Sequence, residues 1–338
     1  MRIIRPIQAS DLQQFVELAL QTGIGFTSLP KNEQKLKEKL IKSLKAFSPD
    51  HTDRQNLIYL FVMEEIETGK IIGMCGIRAS TGGSLPSYYY KVDVEPRPPG
   101  ANRPKEMRIL TPVHYSYGPS EICSLYLQRE KRHGGWGRLL SFSRFLFIAS
   151  HLERFSDTII AEIRGHLDND LSSQFWEAIG RHFYDLQLAE MLTAYSSNRD
   201  FVSDILPSHP IYVDLLPPEA QIEIGTVHEH SQPALNLLLE QGFKITNEID
   251  IIDGGPKLEA PTRKIAAIRQ NILCTVKKIS DHNTEIKALI ANTSLDFRAT
   301  QGTLHLNNQG EATISPAIAE ALQVNVGDNI RYYIIGKE

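Results

Sequence analysis

A strand-like run, Ser124-Leu125-Tyr126-Leu127-Gln128, leads into Arg132-His133-Gly134-Gly135-Trp136-Gly137-Arg138 and straight on into a segment carrying Leu139, Leu140, Phe142, Phe145, Leu146 and Ile148 at helical spacing. Glycines at such a junction let the backbone approach a ligand closely, several amides can point inward, and the first turn of a helix adds partial positive charge. That is the chemistry of an anion hole, and a pyrophosphate suits it. The spacing matches neither the three-glycine dinucleotide fingerprint nor the Gly-Lys-Ser/Thr phosphate loop. Taken alone, Arg132, Gly135 and Gly137 also fit a plain strand-to-helix turn.

The elements that must position this loop are legible on both sides of it. Ile3 to Ile7 reads as a strand, followed by a helix capped by Asp11 with Leu12, Phe15, Val16, Leu18 and Leu20 on its apolar face. A Gly- and hydroxyl-rich loop from Thr22 to Pro30 precedes a Lys-rich helix that starts after Asn32 and runs to Phe47. Ile58 to Met63 and Ile71 to Ile77 flank Glu67-Thr68-Gly69-Lys70 as a hairpin. Residues 81–120, with Tyr88-Tyr89-Tyr90 and Pro96-Arg97-Pro98-Pro99-Gly100, are rich in Gly, Pro and Tyr and read as an insertion with little regular structure. A further strand is expected from Thr158 to Arg164. Phe175 to Phe183 reads as a helix closed by Gly180 that turns into a strand. Pro233 to Lys244 repeats the pattern of helix, glycine and phenylalanine, through either an internal duplication or the common habit of ending helices on glycine. Beyond Pro261 strands separated by Asn/Gly turns form a small β-rich appendage, and Val324 to Asp328 reads as a turn between two of them.

Composition narrows the function classes. In 338 residues, 36 Lys plus Arg face 40 Asp plus Glu, for a formal net charge of -4, so no global basic field exists to gather nucleic acid or an anionic membrane. Cys75, Cys123 and Cys274 form no CxxC pair, which argues against a zinc site or a disulfide framework; no metal is expected. The opening residues turn polar by Gln8 and no apolar run is long enough to span a bilayer. A soluble cytoplasmic protein without a nucleic-acid or membrane partner is expected.

The order strand, two helices, hairpin, strand, Gly-rich turn, helix, strand, helix, strand resembles the GNAT acyltransferase fold, an α+β architecture whose R/Q-x-x-G-x-G/A loop holds the coenzyme A pyrophosphate. Arg132, Gly135 and Gly137 match that motif. The resemblance implies a preceding strand, Cys123 to Leu127, that splays from its neighbour and offers backbone groups to the pantetheine arm. Arg5-Pro6, Thr22-Gly23, Thr27-Ser28-Leu29-Pro30, Ser120 to Leu125, Phe175-Trp176, Gly180, His209-Pro210-Ile211-Tyr212, Gly225 to His228 and Asp250 to Pro256 together resemble bacterial arginine N-succinyltransferases over nearly the whole chain. What this implies is transfer of succinyl from succinyl-CoA to the α-amine of L-arginine, the first step of arginine catabolism by the succinyltransferase route, with ornithine as acceptor for paralogous subunits. It further implies Leu125 at the succinyl-CoA site, His228 as proton donor, and a homo-oligomer or a hetero-oligomer with a paralogous subunit. Residues 91–112, with Val92-Asp93-Val94-Glu95-Pro96, depart from the family pattern, which touches the acceptor more than the donor.

The expected organisation is a GNAT-like domain over 1–205 with the insertion 81–120, a second GNAT-like half unit over 206–261, making a tandem pair, and the appendage 262–338. Amide formation needs a neutral amine and a protonated leaving thiolate, and a histidine can serve either step. His228 is expected to give its proton to the sulfur, with the Leu125 N–H on the oxyanion and His230 as the neighbour to test against it. Arg164 is a candidate for the succinyl carboxylate, and Glu121 and Asp250 for the guanidinium of the acceptor. Cys123 has no histidine near it in sequence, so direct transfer is favoured over an acyl-enzyme. The Asp253-Gly254-Gly255-Pro256 and His209-Pro210-Ile211-Tyr212 segments read as a turn and a connector. Two other classes remain open: a GNAT enzyme for another acyl-CoA or amine, and a weakly active CoA-binding subunit.

Overall fold

The computed structural model describes residues 1–23, 26–50, 54–55, 57–96, 106–168, 171–197, 202, 207–281 and 286–335. Ile24, Gly25, the Arg97-Pro98-Pro99-Gly100 cluster and the expected junction at 205/206 lie outside them.

The chain opens with β1 (Arg2–Pro6), α1 (Leu12–Gln21), α2 (Glu33–Ala46) and the hairpin β2 (Ile58–Glu65) and β3 (Lys70–Arg78). β2 is apolar at successive positions because both of its faces are covered. Tyr59, Phe61 and Met63 enter the core beneath a long later helix, α3 (Trp136–Ser150), whereas Ile58, Leu60 and Val62 meet Phe15, Leu18, Leu36 and Leu40 of α1 and α2. Leu20, expected on the buried face of α1, is exposed. Asp11 does not cap α1 with its side chain. Its carboxylate takes a fork from Arg5, Nη1 to Oδ2 at 2.7 Å and Nη2 to Oδ1 at 3.1 Å, and the Gln8 amide at 2.7 Å, because a buried guanidinium outcompetes a helix amide for the charge. Glu64 completes the pair around Arg5. Asp11→Ala leaves a buried cation half-neutralised and is expected to cost about 3 kcal/mol, read as a lower urea midpoint; an unchanged midpoint would show the fork to be idle.

The described residues of 81–120 are not irregular. They form a long antiparallel pair, β4 (Gly82–Pro96) and β5 (Glu106–Tyr117), in register from Ser87↔Tyr115 to Pro96↔Glu106. The tyrosines that read as loop residues are good strand formers, and Tyr88 and Tyr90 are buried against Phe175 and Trp176. β6 (Ser120–Leu127) and β7 (Thr158–Glu162) follow, with α3 between them; β7 ends two residues before Arg164.

The helix at Phe175 is also read differently by the structure. α4 (Gln174–Ala178) continues after Gly180 into another helical turn, α5 (Arg181–Tyr184), and no strand follows; α6 (Leu188–Ser197) does. Gly180 has right-handed helical angles, and a Cβ there would lie 2.1 Å from the Trp176 ring: the glycine makes room for an indole and does not stop a helix. Gly242, at φ 89°, does end its helix.

The short β8 (Ile211–Tyr212), α7 (Pro218–Glu223), α8 (Gln232–Glu240), β9 (Lys244–Asp250) and β10 (Pro256–Pro261) bring the chain back into the same sheet: β10 pairs with β7, and β9 with β4. After α9 (Ala266–Gln270) come β11 (Ile272–Ile279), β12 (Ile286–Asn292), β13 (Ala299–Leu306), β14 (Ala312–Ile314), α10 (Pro316–Leu322) and β15 (Asn329–Ile334). The segment 324–328 therefore links a helix to a strand. Among the described residues the strands join in one sheet, ordered β12-β15-β11-β14-β13-β1-β2-β3-β6-β7-β10-β9-β4-β5-β8. The C-terminal part is attached through Ile4↔Ala299 and by Phe297, which packs on Phe61 and Phe147. α3 is thus enclosed between the central strands and β12, β13 and β15, which explains why every residue from Leu139 to Ala149 is buried.

Candidate active site

The site begins with a mismatch between two strands. β3 and β6 pair Met74↔Tyr126 and Gly76↔Cys123, so Ser124 and Leu125 together oppose Cys75. This is a β-bulge: Ser124 takes φ 54°, and Lys39 Nζ reaches its hydroxyl at 3.2 Å. Bulging turns Leu125 outward, the one residue of β6 that is not buried. On the other side β6 pairs with β7 only at Ser120↔Ile159 and Glu121↔Ile160. Beyond these the two strands part, and a cleft of about 420 Å³ opens between Ile122–Leu127 and Ala161–Arg164. The splay expected for Cys123 to Leu127 is present.

Arg132, Gly135 and Gly137 line this cleft together with Leu125. Arg132 Nε donates to the Leu127 carbonyl at 2.9 Å and its guanidinium lies 5.9 Å from the Tyr126 ring, which locks loop to strand. Gly135 precedes the helix at φ 76°, a conformation that favours glycine, and Gln301 from β13 stands 3.2 Å from where a Cβ would project. A Cβ on Gly137 meets open space. His133 spends its amide on the Lys131 carbonyl at 2.9 Å, so the cradle is shorter by one than the His133 to Arg138 stretch suggests. The next five amides, Gly134 to Arg138, have no protein acceptor among the described residues and lead into the first turn of α3. They can satisfy an anion where the helix dipole favours one.

His228 is held at the far end of β7. Val227 bridges to Gly165, the His228 amide donates to the Arg164 carbonyl at 3.0 Å, and Nδ1 accepts from the His230 amide at 3.1 Å. His228 is 9% exposed, and His230, 5.3 Å away ring to ring, borders the cleft. Burial, and next the charge of Arg164, lower the His228 pKa to about 4, so the ring rests neutral with its proton on Nε2. Arg164 is half-buried at the cleft, its Nε without a partner among the described residues, and burial lowers its pKa.

Four carboxylates also line the cleft: Glu121, Glu162, Asp250 and Asp253, the last of them next to Arg164. Glu121 pairs with Arg78, and Glu162 accepts from the Tyr89 hydroxyl at 2.6 Å. Asp250 Oδ1 takes the amides of Ile252 and Asp253 at 2.7 and 3.1 Å, and Asp253 Oδ1 takes that of Gly255 at 2.9 Å. Burial raises both aspartate pKa values, and for Asp250 the neighbouring charge of Asp253 adds to it. Glu121 and Asp250 were legible as candidates, but Glu162 and Asp253 were not. Asp253 read as a turn residue, and only β10 pairing on β7 brings it beside Glu162. Arg144, which also lines the cleft, was missed too, although one arginine inside Leu139 to Ile148 was a visible signal. Cys123 borders the cleft with its thiol beside the Ser124 hydroxyl at 3.6 Å. Among the described residues no group of three or more His, Cys, Asp or Glu could hold a metal ion, and no helix is long and apolar enough to cross a membrane.

Residues 2–267 match the family model for the arginine N-succinyltransferase beta subunit, and residues 273–333 that of its C-terminal domain. The chain belongs to the arginine N-succinyltransferase family. It is 35% identical to the arginine N-succinyltransferase of Enterobacter sp. (strain 638), over 98% of this chain and 97% of that one. The beta and alpha subunits of the Pseudomonas aeruginosa enzyme are each 36% identical, covering 97% and 98% of this chain and 97% and 99% of their own. The solved structure of arginine/ornithine succinyltransferase subunit AI from Pseudomonas aeruginosa superposes with a TM-score of 0.89 at 34% identity, covering 100% of this chain and 99% of that one. The architecture is therefore the α+β, GNAT-like fold of an N-acyltransferase, as the order of elements implied.

Proposed function

We propose that the cleft binds succinyl-CoA and transfers its succinyl group to the α-amine of L-arginine by direct attack. The observation that carries this reading is the conjunction of a bulged strand, a splay beside it and five unspent amides at one end of the opening. The amides of Gly134 to Arg138 would take the diphosphate, the parted edges of β6 and β7 the pantetheine arm, and the Leu125 N–H the thioester oxygen as it gains charge. The ammonium first gives one proton to solvent; attack of the resulting neutral amine then forms the C–N bond, the C–S bond breaks, and the one proton that the amine nitrogen sheds on becoming an amide ends on sulfur. His228 Nε2–H would hydrogen-bond the sulfur as charge builds on it. The acidic side of the cleft suits the guanidinium of the acceptor.

The alpha and beta subunits of the Pseudomonas enzyme are equally similar to this chain, which supports reading it as a subunit that works in a homo-oligomer or beside a paralogue. Thiol release by the purified chain, with succinyl-CoA or acetyl-CoA against arginine or ornithine, tests the proposal. The expected result is a preference of about tenfold or more for succinyl-CoA with arginine. Turnover of acetyl-CoA alone would overturn the donor assignment, and ornithine in place of arginine would overturn the acceptor.

A further inference from the structure

Arg144 lies two turns into α3 and is 2% exposed. Nε and Nη2 donate to the Ser141 carbonyl and hydroxyl at 3.0 and 2.9 Å, both on its own helix, and Nη1 has no acceptor among the described residues. No described carboxylate forms an ion pair with it. The ionisable groups beside it are the thiols of Cys75 and Cys123, and burial pushes the Cys75 thiol up to about 12, so that group is neutral and no counter-ion. A guanidinium buried in this way is costly unless an anion arrives to neutralise it.

The same side chain borders the cleft. Gly137, Leu140 and Arg144 fall on one face of α3, three and four residues apart, and all three line the opening. The floor of the cleft thus begins at the unspent amides and ends at a buried, fork-shaped cation beneath the bulged strand. Arg164 stands instead among the groups of the other wall, influenced by Asp253 and bonded through its carbonyl to His228.

We infer that Arg144 receives the terminal carboxylate of the donor's acyl group and sets the preference for a dicarboxylic over a monocarboxylic thioester, resting on the succinyl-CoA reading above. A planar fork matches a carboxylate, and in a site closed from water the pair is strong. The donor's own charge supplies what the protein omits.

The experiment compares succinyl-CoA with butyryl-CoA, in which a methyl group replaces the carboxylate, by kcat/KM and by calorimetric Kd. Arg144→Met is expected to lower the succinyl-to-butyryl ratio by about 100-fold. Arg144→Lys, which keeps charge and loses the fork, is expected to lower it by about tenfold and serves if the methionine variant folds poorly. A ratio that stays at the wild-type value in both variants, or that moves with Arg164→Gln instead, overturns the inference. Wild-type protein that binds neither thioester would instead sink the donor reading itself, a failure distinguishable because no variant is needed to see it.

Discussion

Replacing His228 with alanine is expected to lower kcat with succinyl-CoA about a thousandfold, within the range for removing one hydrogen-bond donor from a developing charge, whereas His230→Ala lowers it less than about tenfold. The comparison is demanding because His230, not His228, borders the cleft, and the two rings are 5.3 Å apart. His228 is the better positioned of the two: its amide is tied to Arg164, its Nδ1 to the His230 amide, and the Gly165↔Val227 bridge fixes both to the end of β7. Those bonds orient Nε2 and set which nitrogen carries the proton. The lowered pKa, about 4, adds a pH signature. Above about pH 5 the ring is neutral in the resting enzyme, so the acid limb of the profile belongs to the acceptor amine and not to the histidine. His228→Gln should therefore depress the kcat profile between about pH 5.5 and 8 without changing its shape. If the variant loses a step near pH 6.5 that the wild type has, the ring ionises during turnover and the hydrogen-bonding role is wrong. If His230→Ala is the dead enzyme, the two histidines exchange places.

Gly255→Ala should damage acceptor binding and stability together. A Cβ at 255 would stand 2.1 Å from the Ile163 carbonyl oxygen, 2.5 Å from the Gly165 nitrogen and 2.9 Å from Asp253 Oδ1. Two of those atoms are backbone and cannot move aside cheaply. The Gly255 carbonyl also takes the Asp250 amide at 2.8 Å, so displacing this residue disturbs both aspartates of the acidic wall. The expected outcome is a loss of about 3 kcal/mol in stability, seen as a lower melting temperature, and a rise of about tenfold or more in the KM for arginine at saturating donor. A variant that melts lower yet keeps its acceptor KM would show that the turn supports the fold and leaves the acidic wall alone.

The donor half of the site was more legible than the acceptor half, and the reason is local. Arg132, Gly135 and Gly137 lie within six residues of one another, next to a strand and a helix whose periodicities are plain, so residue type and spacing together revealed the cradle. The acidic wall is gathered from β6, β7 and the turn between β9 and β10, and its members become neighbours only when β10 pairs with β7. No window of sequence contains that pairing. The misread segments failed for specific reasons. Tyr88-Tyr89-Tyr90 was judged by the prolines and glycines around it, although tyrosine favours strands. Gly180 has the sequence signature of a helix stop, but its missing side chain serves the Trp176 ring. Asp11 was assigned to a helix amide when the buried Arg5 had the stronger claim.

The enclosure of α3 ties donor recognition to a region remote from the reacting atoms. The helix whose leading amides are unspent turns its other sides to Leu289, Ala291 and Phe297, and Gln301 of β13 abuts the glycine on which it starts. Stripped of its last seventy residues, the chain would be left with a greasy cylinder open to water and a loop without its backstop. What looked like a detachable tail is masonry, and trimming it would yield precipitate in place of a smaller catalyst.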